Sequence, residues 1–205
     1  MCRAMAHRLI GVLEDDMRTA FVAIAVGVVM AIGVTPAAAQ QRVPDAGMWA
    51  VGASAGASGP ADASLQRGFE GAGNIEGYMT PRVSIRGQVG ATSWDVVGRN
   101  FSGTITPIFA DANLVYNWEG GVVHPYVTGG VGIYHYHGSE SATRDRSDTK
   151  PGVDVGGGLE YFFTRHTTIT GELLYHKVGA FASPLATFND GSFWRFGVGA
   201  KVYMK

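Results

Sequence analysis

The sequence predicts an all-β fold, an eight-stranded antiparallel up-and-down transmembrane β-barrel. Three observations predict it. Segments of about ten residues show period-two alternation and are punctuated by Gly, Pro, Asn and Asp. On nearly every segment one face is aliphatic or aromatic while the other carries charges and glycines. The connections alternate between short and long, as they do in a barrel with tight turns at one end and extended loops at the other.

Composition agrees. The 205 residues suit one domain, 46% are hydrophobic and only 16% are charged, against about a quarter in ordinary soluble domains. The net charge of −1 gives no footprint for nucleic acid. Residues 1–39 read as a signal peptide: the apolar run Phe21–Val34 has the length of an h-region, and Ala37 and Ala39 supply the small residues that a signal peptidase needs. That run is shorter than a spanning helix of about 20 residues. Acids precede the run, except that Met17-Arg18 lies directly before it. Translation is therefore expected to start at Met17, with residues 1–16 an upstream misreading. Residues 40–205 form the barrel domain. Cys2 falls in the discarded segment, and no lipoprotein cysteine stands at the cleavage point.

The eight segments lie near 47–56, 73–80, 82–93, 103–117, 123–137, 151–163, 166–178 and 192–204. Short turns are expected at 80–82, 117–121 and 164–166, and longer loops at 57–72, 94–102, 138–150 and 179–191. On the second segment Glu76 opposes Ile75 and Met79; on the third, Val83, Ile85, Val89 and Ala91 oppose Ser84, Arg86, Gln88 and Thr92. On the fourth, Ile108, Ala110, Ala112, Leu114 and Tyr116 oppose Asp111 and Asn113. The fifth is ambiguous, with large apolar groups on both faces; Val127, Val131 and Ile133 are placed outside, Thr128, Gly130 and Gly132 inside. The sixth sets Val153, Val155, Leu159, Tyr161 and Phe163 against Asp154, Gly156, Gly158 and Glu160. The seventh sets Ile169, Leu173 and Tyr175 against Thr168, Thr170, Glu172 and His176. The eighth sets Trp194, Phe196, Val198, Ala200, Val202 and Met204 against Arg195, Gly197, Gly199 and Lys201.

A soluble sandwich hides its apolar face and scatters polar groups over the other. A narrow membrane barrel does the reverse, with lipid outside and a crowded polar interior. Trp49, Trp118, Tyr161, Tyr175 and Trp194, near segment ends, suit interfacial girdles. This parity turns Glu76, Asp111, Asp154, Glu160 and Glu172 inward with Arg86, Arg195 and Lys201. Unpaired charges are costly in a space of low dielectric, so a salt-bridge network is expected, with Arg195 and Lys201 among the carboxylates of the sixth and seventh strands. An eight-stranded lumen is about wide enough for side chains to fill it, which argues against open diffusion.

The stretches "NLVYNW" (113–118), "PYVTGGVGIY" (125–134), "GGGLEYFFTRHTTITGELLYH" (156–176) and "FWRFGVGAKVYMK" (193–205) resemble the small outer-membrane β-barrel proteins of Gram-negative bacteria, similar to the membrane domain of OmpA. The resemblance spans the whole chain after the signal peptide. It implies export to the outer membrane, contact with outer-membrane lipids and lipopolysaccharide, and the barrel-assembly machinery as a partner. Members usually end on an aromatic residue, whereas Tyr203 is followed here by Met204 and Lys205. OmpA-type proteins carry a peptidoglycan-binding domain after the barrel; none follows the eighth segment, and no cell-wall binding is expected.

Several residues invite a chemical role. His135 and His137 share a strand face, but a metal site needs three or four donors. His137 with Ser139 is similar to the His-x-Ser arrangement of outer-membrane lipid A deacylases, without the rest of that motif. Glu160 and Glu172 could form an acid–base pair, but a filled barrel gives them no substrate. Arg144, Arg146 and Lys150 lie in a mixed-charge loop that could contact lipopolysaccharide phosphates. The glycine runs of the fifth segment are not phosphate loops, since no helix follows them. No catalytic residue, cofactor or metal is assigned. The expected role is non-enzymatic, in envelope integrity or surface interaction, with a small porin-like channel and a lipid-modifying enzyme as the alternatives.

Overall fold

The computed structural model describes residues 44–61, 65–97, 102–118, 121–140, 146–164, 166–182, 187–188 and 190–205. The expected signal peptide and the Met17 start lie outside them. The strands are β1 (Trp49–Pro60), β2 (Gly68–Tyr78), β3 (Val83–Thr92), β4 (Trp94–Val97), β5 (Ser102–Asn117), β6 (Val123–Glu140), β7 (Arg146–Phe162), β8 (Thr167–Val178), β9 (Phe181–Ala182), β10 (Thr187–Phe188) and β11 (Phe193–Met204).

Each barrel strand pairs antiparallel with its sequence neighbour, and β1 pairs with β11 over its whole length, from Trp49↔Met204 to Pro60↔Phe193. That last pairing closes the sheet. β3 and β4 are one strand interrupted at Ser93, whose amide donates to the Phe69 carbonyl at 3.1 Å; both pieces pair with β5. The wall therefore has eight strands, with the little β9–β10 hairpin lying in the connection between β8 and β11. Closure matters because lipid offers no partners to the exposed edge of a sheet.

The tight connections 79–82, 118–122 and 163–166 share one end of the barrel with Trp49 and Met204. Gly121 turns there with φ +78°, a left-handed conformation that glycine takes without strain. The longer connections lie at the other end.

The wall's outer face is apolar all round. Val51, Ile75, Val89, Leu114, Val131, Leu159, Leu173 and Val202, one from each strand, are each at least 45% exposed. Monomers in water rarely expose a continuous apolar patch beyond a few hundred Å², whereas a lipid-facing wall requires one. Trp49, Trp118 and Tyr175 face outward near the strand ends, and Tyr161 and Trp194 are half-buried there.

The structure corrects the strand boundaries at the loop end. Residues 57–72, expected as a long loop, are mostly ladder: β1 continues to Pro60, β2 begins at Gly68, and only 61–67 connect them. Residues 138–140 and 146–150 likewise extend β6 and β7. Small residues conceal the alternation in this region. Gly59 is a strand position where a Cβ would lie 2.4 Å from the Trp194 indole, so the missing side chain there serves packing rather than a turn.

Candidate functional site in the barrel lumen

Inward positions at the turn end form an aromatic floor of Tyr78, Tyr203 and Phe162 with Ala50. The Tyr78 and Tyr203 hydroxyls lie 3.1 Å apart. Glu160 Oε1 accepts from Tyr203 at 2.5 Å and from Thr168 at 2.6 Å.

The charged network sits above this floor. Glu76 Oε2 accepts from Lys201 Nζ at 2.7 Å and from Arg86 Nε at 3.1 Å, and Oε1 accepts from Ser84. Lys201 also lies 3.7 Å from Glu160. Glu172 is the bridge across the lumen. Its Oε2 accepts from Arg86 Nη1 and, at 2.8 Å, from the Tyr126 hydroxyl; its Oε1 accepts from Arg195 Nη2 at 2.9 Å. Arg195 reaches Glu70 at 3.4 Å, and the Gln88 amide oxygen, turned toward Arg195, accepts from both of its terminal nitrogens. Arg86 stacks 5.1 Å from the Tyr126 ring and Arg195 5.1 Å from Phe109, so each guanidinium has apolar as well as ionic contacts.

Toward the loop end the filling turns aromatic. Trp94, Phe109, Tyr134, Tyr136 and Phe193 pack with Ile105, Leu65 and Val178, and the five rings are at most 1% exposed. Trp94 Nε1 donates to Ser58 at 2.9 Å and the Tyr136 hydroxyl to the Gly191 carbonyl at 2.6 Å, so two of these polar tips have partners. His176 stacks on Phe193 at 4.5 Å between centroids and 13° between planes.

All eight charged residues assigned inward from the sequence are buried: Glu76, Arg86, Asp111, Asp154, Glu160, Glu172, Arg195 and Lys201. Six of them share the network just described. The pairing differs from expectation at Lys201, whose short contact is to Glu76 on β2; of the carboxylates on β7 and β8 it reaches only Glu160, at the longer distance. Among the described residues neither Asp111 nor Asp154 forms a salt bridge with the three cations, although Arg195 and Arg86 are near enough to act on both through their charge; Asp111 Oδ1 accepts from Asn113 at 2.6 Å. Sequence reading missed Glu70, which it left in a loop, and the inward aromatics Phe109, Tyr126 and Tyr134. The signal for Glu70 was parity, since Glu70, Ala72, Asn74 and Glu76 alternate with Phe69, Gly71, Gly73 and Ile75.

The other residues singled out lie elsewhere. His137 is exposed on the outer face, and the half-exposed His135 hydrogen-bonds Thr149 through Nδ1 at 2.8 Å. The Ser139 and Arg146 side chains and the whole of Arg144 fall outside the described residues. Lys150 pairs with Asp148 at 3.2 Å. A depression on the outer wall, lined by Ile75, Val89, Ala110, Val131, Ile133 and Val153, is apolar and faces lipid.

A family model for the outer membrane protein beta-barrel domain matches residues 24–203. The chain belongs to that family. Its place is the outer membrane of a Gram-negative cell, with the apolar wall in contact with the bilayer lipids. Solved structures agree on the fold. Neisserial surface protein A (NspA) is 16% identical, with TM-score 0.60 over 77% of this chain and 97% of its own. OprG of Pseudomonas aeruginosa is 12% identical, with TM-score 0.60 over 78% and 97%. Ail, the attachment invasion locus protein of Yersinia pestis, solved with the heparin analogue sucrose octasulfate, is 16% identical, with TM-score 0.52 over 78% and 99%. No curated protein sequence matches the chain.

Proposed function

We propose that this outer-membrane barrel is a closed, non-enzymatic element of the envelope, acting by its presence in the bilayer and by surface interaction through its loops. The observation that carries the reading is the filled lumen. The Arg86–Glu172–Arg195 bridge crosses the interior, and the rings of Trp94, Phe109, Tyr134 and Phe193 pack against one another above it. A conducting pore needs a continuous wet path, and these side chains fill the space in which one would run. At the identities found, the likeness to NspA and Ail is one of fold and carries no role across.

Lipopolysaccharide and the barrel-assembly machinery are the partners that such a protein needs, the first around its outward wall and loops, the second during insertion. Tyr203 is 3% exposed and bonded to Glu160, so it belongs to the lumen floor, and the surface that β11 offers an assembly factor is the apolar series Phe196, Val198, Val202 and Met204.

The test is conductance in planar lipid bilayers. The purified protein should leave the baseline current unchanged. Stepwise openings that grow when Glu160 or Arg195 is neutralised would replace this reading with a small channel. Mass spectrometry of lipid A from cells with and without the protein separates the enzymatic alternative. A modification that disappears with Ser139→Ala would overturn the non-enzymatic reading, and identical lipid A in both strains supports it.

A further inference from the structure

The lumen's charges do not balance. Among the described residues six carboxylates are buried, Glu70, Glu76, Asp111, Asp154, Glu160 and Glu172, against three cations, Arg86, Arg195 and Lys201. The four glutamates take up the cations among themselves. Asp111 and Asp154 remain, and they lie together beside His176: one donor atom from each of the three falls within 4.8 Å of the others. Asp111 is 7% exposed, Asp154 4% and His176 0%. Neither oxygen of Asp154, nor Asp111 Oδ2, nor His176 Nε2 has a hydrogen-bonding partner among the described residues. Buried polar atoms are nearly always paired, so unpaired atoms on three side chains this close together call for a common partner.

The fold assembles this group deliberately. Asp154 on β7 and His176 on β8 are direct cross-strand partners, while Asp111 comes from β5 across the intervening β6. There β6 presents Gly130 and Gly132, and a Cβ on Gly132 would lie 2.9 Å from that of Asp111. The two glycines clear the space between the acids. His176 is held from behind by its stack on Phe193, and the Tyr134 hydroxyl lies 2.9 Å from its Nδ1. With the Nδ1 proton directed to Tyr134, Nε2 is left as a lone-pair donor, the arrangement that second-sphere partners impose on metal-ligating histidines.

We propose that Asp111, Asp154 and His176 bind a divalent first-row transition-metal ion inside the barrel. One imidazole and two carboxylates suit Zn²⁺ and its neighbours rather than Ca²⁺ or Mg²⁺, which prefer all-oxygen shells. The ion's two charges match the two acids left over by the arginine and lysine network. Ligand bonds of about 2.0–2.2 Å place donors roughly 3–4 Å apart, so the three side chains close in by about an ångström on binding. The site lies between the ionic network and the aromatic packing, so the ion is expected to enter as the barrel forms and to exchange slowly afterwards.

The experiment is to refold the protein into detergent with Zn²⁺, strip loose metal on a chelating resin, and count bound zinc by mass spectrometry. About one equivalent is expected, together with a urea midpoint that rises with Zn²⁺. Asp154→Asn and His176→Gln should lose the zinc and the midpoint shift while still migrating as folded barrels on an unboiled gel; Asp111→Asn serves if either fails to fold. Replacing the outer-face histidines, His135→Ala with His137→Ala, should change nothing. Co²⁺ in place of Zn²⁺ should give visible absorption that vanishes with His176→Gln. The proposal is overturned if folded wild type retains none of Zn²⁺, Co²⁺ or Mn²⁺. It is equally overturned if the lumen variants keep the metal or the outer-face variant loses it.

Discussion

Glu172→Ala tests whether the lumen network holds the barrel together. The substitution removes two charge-assisted hydrogen bonds that Glu172 accepts from Arg86 and Arg195, and one that it accepts from the neutral Tyr126 hydroxyl. Charged bonds contribute about 1.5–3 kcal/mol each and a neutral one about 1 kcal/mol. Those values do not simply add, because both cations keep a second carboxylate: Arg86 has Glu76 at 3.1 Å and Arg195 has Glu70 at 3.4 Å with Gln88 beside it. Breaking a buried pair by removing one partner costs about 3–5 kcal/mol, and the remaining partners argue for the lower half of that range. A loss of about 3–4 kcal/mol is therefore expected, more than two orders of magnitude in the folding equilibrium constant. The assay is equilibrium unfolding in urea from lipid vesicles, followed by tryptophan fluorescence and by the folded band on unboiled gels. Glu172→Gln keeps the volume and an acceptor oxygen but not the charge, and should cost about half as much, separating charge from cavity. If Glu172→Ala costs less than about 1 kcal/mol, the bridge is not holding the strands and the reasoning about the interior fails.

Four further outcomes follow from the same geometry. Leu159→Arg, at a site 55% exposed to lipid, should lose about 2–4 kcal/mol and assemble poorly, and wild-type assembly would mean that the faces are inverted. Asp154→Asn, measured without metal, should have the opposite sign to Glu172→Ala, because it relieves an unpaired buried charge beside Asp111; marked destabilisation in chelator would show that Asp154 has a cationic partner in the protein itself. Gly132→Val should impair folding, since its Cβ would meet the Asp111 Cβ at 2.9 Å and the Ala110 carbonyl at 3.0 Å; a stable variant would mean that the glycine gap is unimportant. The folded protein from outer membranes should change gel mobility on boiling, and constant mobility with recovery in the soluble periplasm would exclude the membrane barrel.

The architecture was readable because a lipid-facing wall imposes its chemistry at every second residue. Ile108, Ala110, Ala112 and Leu114 can be assigned outward without coordinates, and the acids between them follow inward. Legibility failed where parity was carried by residues without hydropathy. Along "ASAGASGPADASLQRGFEGAG" (53–73) Ala, Ser and Gly occupy both faces, so turn-forming composition outweighed alternation, and Glu70 was lost with the loop. The aromatic interior failed for a different reason. Phe109, Tyr134 and Phe193 look like lipid-facing residues by composition, and only the register of their own strands turns them inward.

Partner choice within the network was the least legible part, because it depends on a distance that no single strand encodes. Lys201 sits on β11 beside β8, which suggested carboxylates from β7 and β8 as its neighbours. In the closed barrel β11 also borders β1, and the lysine stem reaches past the Gly52 position to Glu76 on β2, at 2.7 Å. A small residue on the intervening strand lets charges two strands apart meet. Gly132 on β6 does the same for Asp111 and Asp154, from β5 and β7. The inward glycines of this chain therefore say which strands can couple across a neighbour. The same device has two outcomes here: across Gly52 a lysine meets a glutamate, whereas across Gly132 two acids meet each other and His176.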